Sequence, residues 1–217
     1  MSTLASAAEA KKAAAHLTAV DPVLAPVIAR TGLYDVRPHQ NYYQALVNSI
    51  VGQQLSVTAA AAIKRRLAAL YDHFPAAEEL LGSDVEQLRA IGLSYAKARY
   101  IIDLAQHVVD GRVEFNQLDA LSNEDIIAEL TAVKGIGVWT VHMFLMFCMG
   151  RLDVLPTGDL GIRNGVRALY GLDRVPTPAD IEEVARRYRW HPYESVASWY
   201  VWESLDNAPK IAPEPNV

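Results

Sequence analysis

The sequence predicts an all-α fold, and three observations carry that prediction. Apolar residues recur at helical spacing through most of the chain, strand-type alternation is almost absent, and Gly, Pro, Ser, Thr and Asp punctuate the periodic segments where helix ends need them. With 217 residues, 51% of them apolar, the chain can bury a sizeable core as one compact domain or two small lobes. There is no internal repeat of the kind that builds a solenoid.

Taken in order, the first stretch, MSTLASAAEAKKAAAH, is an alanine-rich amphipathic start without the continuous apolar core of a signal sequence. No apolar run approaches the roughly 20 residues that cross a bilayer, so a cytoplasmic protein without a membrane partner is expected. Tyr43, Leu46, Val47, Ile50 and Val51 fall at i, i+3, i+4, i+7 and i+8, one apolar stripe of a helix. A Gly-Gln-Gln-Leu-Ser break at 52–56 precedes an alanine-rich helix through Ala59, Ala62, Ile63 and Leu70. Residues 74–93 read as two short helices broken by Gly82 and Gly92. A longer helix carries Ile101, Ile102, Leu104, Ala105, Val108 and Val109, and Gly111 ends it as a left-handed C-terminal glycine would. Ser122 with Asp125 starts the next helix as a capping box, and Thr177-Pro178 starts another. The final helix is expected over 193–205, followed by a loose tail, IAPEPNV.

Charge and cysteine count narrow the chemistry. Cys148 is the single cysteine and the six histidines show no ligand spacing, which leaves no disulfide, zinc knuckle or iron–sulfur cluster to expect. A net charge of −5 is unusual for a nucleic-acid binder, yet helix N-termini and bare backbone amides can hold phosphate without a net positive charge. Lys97 and Arg99 read as a solvated helix face, and His142 as a packing residue.

The segment LTAVKGIGVWT (130–140) is the first with functional content. Gly135 and Gly137 flank Ile136, which is spaced to enter the core between two helices while the glycines let the chain turn. Lys134, Gly135, Ile136, Gly137, Val138 and Thr140 then present backbone amides at the start of a helix, where a phosphate oxygen can approach. An isolated Gly-x-Gly of this kind is equally an ordinary αα-hairpin. About twenty residues on, LPTGDLGIR (155–163) sets Asp159 after a Pro156/Gly158 turn, as a helix N-cap that could also face a cleft.

Hairpin, Pro/Gly loop and aspartate at this spacing resemble the helix-hairpin-helix (HhH-GPD) DNA glycosylase superfamily, and within it the alkylpurine, 3-methyladenine glycosylase II branch. The resemblance covers about residues 40–206 and includes IVGQQLS (50–56), the stretch 74–101 and WHPYESVASWYVW (190–202). It implies a two-lobed helical fold with the active site in the cleft between lobes. Residues 1–44 and 146–217 would form the terminal lobe, and 45–145 a central bundle whose helix-hairpin-helix spans about 122–149. It implies a monofunctional glycosylase of base excision repair, acting as a monomer on double-stranded DNA that contains N3- or N7-methylated purines. Asp159 takes the catalytic position. Trp139 stands where relatives that also cleave the strand have a Schiff-base lysine, so lyase activity is not expected. Trp202 matches an aromatic wall of the base pocket, although helix tryptophans are often simply core. Tyr42 and Tyr43 line the same pocket or pack. Gln54 takes the place of the side chain that fills the gap left by a flipped nucleotide, with Gln53 and Ser56 beside it, or all three form a polar loop that caps the next helix. The carbonyls of Thr131, Val133 and Ile136 match a site for a monovalent cation, Na+ or K+; no other cofactor is implied. The competing readings are a non-catalytic helix-hairpin-helix DNA-binding module, for which Asp159 has no purpose, and an all-α protein-interaction domain.

Overall fold

A computed structural model describes residues 5–39 and 41–205. Among these residues twelve α-helices form and no strand does, as the periodicity predicts. None is long and apolar enough to cross a membrane. The tail 206–217, expected to be loose, lies outside the described residues. The chain divides into two compact units, Met1–Pro38 with Leu145–Val217, and His39–Phe144.

In the second unit the chain runs through α3 (Tyr42–Gly52), α4 (Val57–Tyr71), α5 (Ala77–Leu81), α6 (Val85–Ala90), α7 (Tyr95–Val109), α8 (Asn123–Thr131) and α9 (Val138–Met143). Helix α7 is its spine, with α3, α5 and α6 packed on it. The predicted stripe of α3 is confirmed, since Leu46, Val47, Ile50 and Val51 are fully buried, and they meet a core that includes Leu80, Leu88, Ile101 and Leu104. Helix α4 turns a different face inward from the one its Leu70 suggested. Ala60, Ile63 and Leu67 are buried, while Leu70 is exposed, as is Val109 at the end of α7. Gly111 has the positive φ (67°) expected of it. Ser122 caps α8 by accepting from the Asp125 amide (3.0 Å), but its hydroxyl donates to Asp125 Oδ2 (2.7 Å), so the return bond of a full capping box goes to the side chain.

The first unit contains α1 (Ala7–Val20), α2 (Ala25–Thr31), α10 (Leu160–Tyr170), α11 (Pro178–Arg187) and α12 (Glu194–Ser204). Helix α12 is buried over most of its length, Ser195 and Ser198 included, with α1, α2 and α10 against it. Nothing in the periodicity announced α2, because Pro22 and Pro26 argue against a helix. Pro26 sits in the first turn, where no amide is needed. Thr177 and Asp180 make the complete box that starts α11, and the Thr177 N–H beside it holds the Asp180 carboxyl down to about 2. The buried keystone of this unit is Asp21. It accepts from the Val23 (2.9 Å) and Leu24 (3.1 Å) amides, from Tyr170 Oη (2.5 Å) and from Trp190 Nε1 (2.8 Å), at zero exposure. The chain passes between units at 38/39 and again within a π-helical stretch, Phe144–Cys148.

Candidate active site and nucleic-acid interface

In the first unit, the loop LPTGD makes two successive tight turns, with Thr157 N donating to Leu155 O and Asp159 N to Pro156 O, both at 2.9 Å. These turns deliver Asp159 to the N-cap of α10 in extended conformation (φ −71°, ψ 127°). Its Oδ1 accepts from the Ile162 amide (2.8 Å) and from the indole Nε1 of Trp202 (2.9 Å). The expected N-cap and a possible site residue are therefore one and the same, a half-buried carboxylate whose orientation two donors fix.

Trp202 is 2% exposed, with its ring tilted 31° against Phe147 at 5.9 Å. A residue read as a pocket wall is thus a packed ring whose polar edge orients Asp159. Gly161 makes this pairing possible: a Cβ there would lie 3.0 Å from Asp159 Oδ1 and 3.0 Å from Trp202 Cδ1 and Nε1. Gly161→Ala is expected to separate the pair and slow any reaction that depends on Asp159 by about tenfold or more. Ala is the better helix former, but the displaced indole N–H of buried Trp202 loses its acceptor, so the melting temperature is expected to fall by a few degrees. Parallel rate and melting measurements check both halves.

In the second unit the hairpin joins α8 to α9. Ile136 is buried, as predicted, and Gly135 adopts φ 82°. A Cβ at Gly135 would collide with the Tyr100 ring of α7. The amides are less bare than expected. Lys134 N donates to Asp103 Oδ2 (2.9 Å) and Ile136 N to Val133 O (3.1 Å), while Gly137, the N-cap of α9, supplies no side-chain acceptor to the first turn of that helix, where a phosphate can approach. The Lys134 ammonium pairs with Asp103 Oδ1 at 3.0 Å on the surface. Burial opposes the charge on Asp103, but the Lys134 amide and ammonium outweigh it and hold the carboxyl below its usual range.

The 52–56 break is a β-turn. Leu55 N donates to Gly52 O (3.1 Å), Gln53 has φ −50° and ψ 128°, and Gln54 has φ 56°, the pattern of a type II turn, whose third position favours glycine. Gln54 is exposed at the apex of this turn. A non-glycine residue there costs on the order of 1 kcal/mol, and strain of this kind collects at functional positions. Ser56 caps α4 through the Ala59 amide (3.3 Å). Gln53 Nε2 donates to Gly135 O (2.8 Å), so turn and hairpin are bonded to each other. Lys97, read as part of a solvated face, instead turns inward, and its Nζ donates to Val51 O (2.9 Å) and Gln53 O (2.5 Å). Burial lowers its pKa. Turn and hairpin both expose apolar side chains, Leu55 and Val57 on one and Val138 and Trp139 on the other, with Trp139 52% exposed.

Tyr42 and Tyr43, at the start of α3, line an open cleft of about 520 Å³ with His39, Phe115 and Asp119. Tyr42 Oη donates to Asp119 Oδ1 (2.9 Å) and its ring meets Phe144 edge-on. Tyr43 packs between Phe74 and Phe115, and burial raises its phenol pKa. Burial also holds the His142 imidazole below its ordinary value, so it is neutral near pH 7, as suits a packing residue. Thr131 ends α8, its hydroxyl donating to Ile127 O (2.6 Å), and Val133 lies two residues on, so two of the three carbonyls expected to hold a cation lie at and just beyond the negative end of that helix, while Ile136 precedes the Gly137 N-cap of α9.

Comparison with known proteins bears directly on this arrangement. The model of the HhH-GPD superfamily base excision DNA repair protein matches residues 47–189, which contain the 52–56 turn, the hairpin and Asp159. DNA-3-methyladenine glycosylase 1 of Schizosaccharomyces pombe is 34% identical over 210 residues, covering 93% of this chain and 90% of that one. The crystal structure of a DNA-3-methyladenine glycosidase from Bacillus halodurans superposes with a TM-score of 0.78 at 39% identity, covering 87% of this chain and 86% of that one. The S. pombe 3-methyladenine DNA glycosylase in complex with abasic DNA superposes at 0.75 with 33% identity, covering 93% and 100%. The chain belongs to the HhH-GPD superfamily of base excision DNA repair proteins.

Proposed function

We propose that this protein is a monofunctional DNA glycosylase that excises N3- and N7-methylated purines from double-stranded DNA, with Asp159 as its catalytic carboxylate. The observation that carries this reading is the Asp159–Trp202 pair: a carboxylate oriented by a helix N-cap and an indole N–H, within the family match. A non-catalytic module needs only the hairpin and gives the pair no purpose. The S. pombe relative was solved with abasic DNA, the product that such a reaction leaves.

The chemistry needs one carboxylate. Ordinary glycosidases use two, one of them an acid that protonates a leaving oxygen which would otherwise depart as an anion. An N3- or N7-methylated purine already carries a positive charge, so its bond to C1′ breaks with the electron pair going to nitrogen, and the base departs neutral without an acid. The sugar acquires oxocarbenium character, which the Asp159 charge stabilises. Water then bonds to C1′ and gives up a proton, a transfer the same carboxylate can assist.

The other residues divide the remaining work. The first turn of α9, where the hairpin ends, holds phosphate on the backbone. Gln54, at its exposed apex, fills the space vacated by the flipped nucleotide and offsets part of the few kcal/mol that unstacking costs. Trp139 offers an exposed ring to a cationic base, worth about 1–2 kcal/mol, and its indole cannot form a Schiff base. The carbonyls of Thr131, Val133 and Ile136 would hold a monovalent cation; when bound, it supplies positive charge toward phosphate. Tyr42 and Tyr43 belong to the base-recognition surface in this reading, and the protein acts as a monomer.

The test is release of free bases from duplex DNA treated with a methylating agent. Chromatography is expected to show 3-methyladenine and 7-methylguanine in the soluble fraction, far ahead of any unmodified purine. Soluble bases no more abundant than in a protein-free control would overturn the reading.

A further inference from the structure

Helix α7 is more than core. At successive three-residue intervals it presents Lys97, Tyr100 and Asp103, steps of about 60° around the helix that keep the three on one side. Each of them touches one of the two surface loops. Lys97 reaches the C-terminal carbonyls of α3 and the 52–55 turn, at Val51 O and Gln53 O. Tyr100 lies under Gly135, where only a glycine fits. Asp103 takes both the amide and the ammonium of Lys134. Gln53 Nε2 then closes the circuit from turn to hairpin at Gly135 O.

Ordinary packing does not require this arrangement. The buried stripe of α3 already anchors that helix, and the turn it leads into is strained at Gln54. A strained apex persists only where its surroundings over-determine it. The Lys97 ammonium supplies that constraint, because a cation at a helix C-terminus satisfies orphan carbonyls and opposes the negative end of the dipole.

We propose that α7 braces the apical turn against the hairpin, and that Lys97 is a positioning residue that holds Gln54 poised to enter the DNA stack. The brace sets the distance between the side chain that fills the gap and the backbone amides that grip the flanking phosphates. It acts on nucleotide extrusion and not on the bond-breaking step. This inference rests on the glycosylase reading above.

The test is a double-mutant cycle in single-turnover base release from a duplex carrying one methylated purine. Lys97→Met keeps the aliphatic stem and removes the charge; Gln54→Ala removes the plug. Each alone is expected to slow release by about 10- to 100-fold, the scale on which misplacement acts. Combined, they should be no slower than Gln54→Ala alone within about twofold, because Lys97 acts through Gln54. Lys97→Arg should restore most of the rate. The same lesion placed in an unpaired bubble, where extrusion costs least, should be released nearly as fast by Lys97→Met as by the wild type. Gln53→Leu, which cuts only the tie to Gly135 O, should reproduce the pattern and serves if Lys97→Met fails to fold. Independent, multiplicative losses in the cycle would overturn the proposal, as would equal losses on duplex and bubble, or a Gln54→Ala variant as fast as wild type. A wild-type protein that releases no methylated base at all would strike the glycosylase reading itself, and the two failures are therefore distinct.

Discussion

Asp159→Asn is expected to abolish nearly all base release while leaving the protein folded. Asn serves as an N-cap as well as Asp does, and its side-chain oxygen can still accept from the Ile162 amide and Trp202 Nε1. Only the charge is lost. At about 4 Å, in an effective dielectric near 20, one charge pair is worth roughly 4 kcal/mol. A barrier raised by that amount is a loss of about 1,000-fold, so a fall of 100- to 1,000-fold is the expected range. Stability should change by no more than about 1 kcal/mol. Asp159→Ala separates the two roles from the other side. It removes the cap and leaves the indole N–H of a tryptophan only 2% exposed without this acceptor, costing about 1–3 kcal/mol in addition to activity. Single-turnover rates and thermal melts on the two variants make the comparison.

The largest effect on stability is expected at Asp21, far from Asp159 in sequence and outside the proposed chemistry. This carboxylate is fully buried and accepts from four donors, two of them the side chains of Tyr170 and Trp190. Burial raises the Tyr170 phenol pKa, and the bond to Asp21 raises it further, so the hydroxyl stays a donor. Asp21→Ala strands those donors in the interior, at about 1–3 kcal/mol for each group left unsatisfied and about 3–5 kcal/mol in all. For a chain of this length, each kcal/mol moves the melting temperature by roughly 2–4 °C, so a fall of about 10 °C is expected. Asp21→Asn keeps one acceptor oxygen and should fall between. A melting curve of Asp21→Ala within a degree or two of wild type would show that Asp21 is not the keystone described.

The two carboxylates differ in how much of their placement is encoded locally. Asp159 was legible because what sets its backbone is local, the Pro156 and Gly158 turns, the cap and the periodicity of α10, although the indole that orients its carboxylate is 43 residues away. The hairpin was legible for the same reason, with Ile136 inward and Gly135 at positive φ. Asp21 was not, because its partner Trp190 is 169 residues away and no local pattern signals a buried carboxylate. Lys97 looked like a solvated cation because helical periodicity shows which residues are apolar, not where a long side chain bends. Its partner Gln53 is 44 residues distant, and the bond from Gln53 to Gly135 spans 82. Trp202 shows the limit from another direction: an indole in an apolar helix reads the same whether it lines a pocket or, as here, packs on Phe147 and donates to a carboxylate. The order of contacts along α7 depends on tertiary geometry, and only the fold reveals that one helix serves both surface loops.

The central claim, hydrolytic excision of a methylated base by a protein that leaves the strand intact, can be tested on one end-labelled duplex with a single 7-methylguanine or 3-methyladenine. After incubation, half the sample is heated in alkali and half is not, and both are resolved on a denaturing gel. The expected result is full-length strand without alkali and cleavage at the lesion with it, and no covalent protein–DNA species on reduction with borohydride. Cleavage at the lesion before alkali, a borohydride-trapped adduct, or an uncut strand under both conditions would contradict the account.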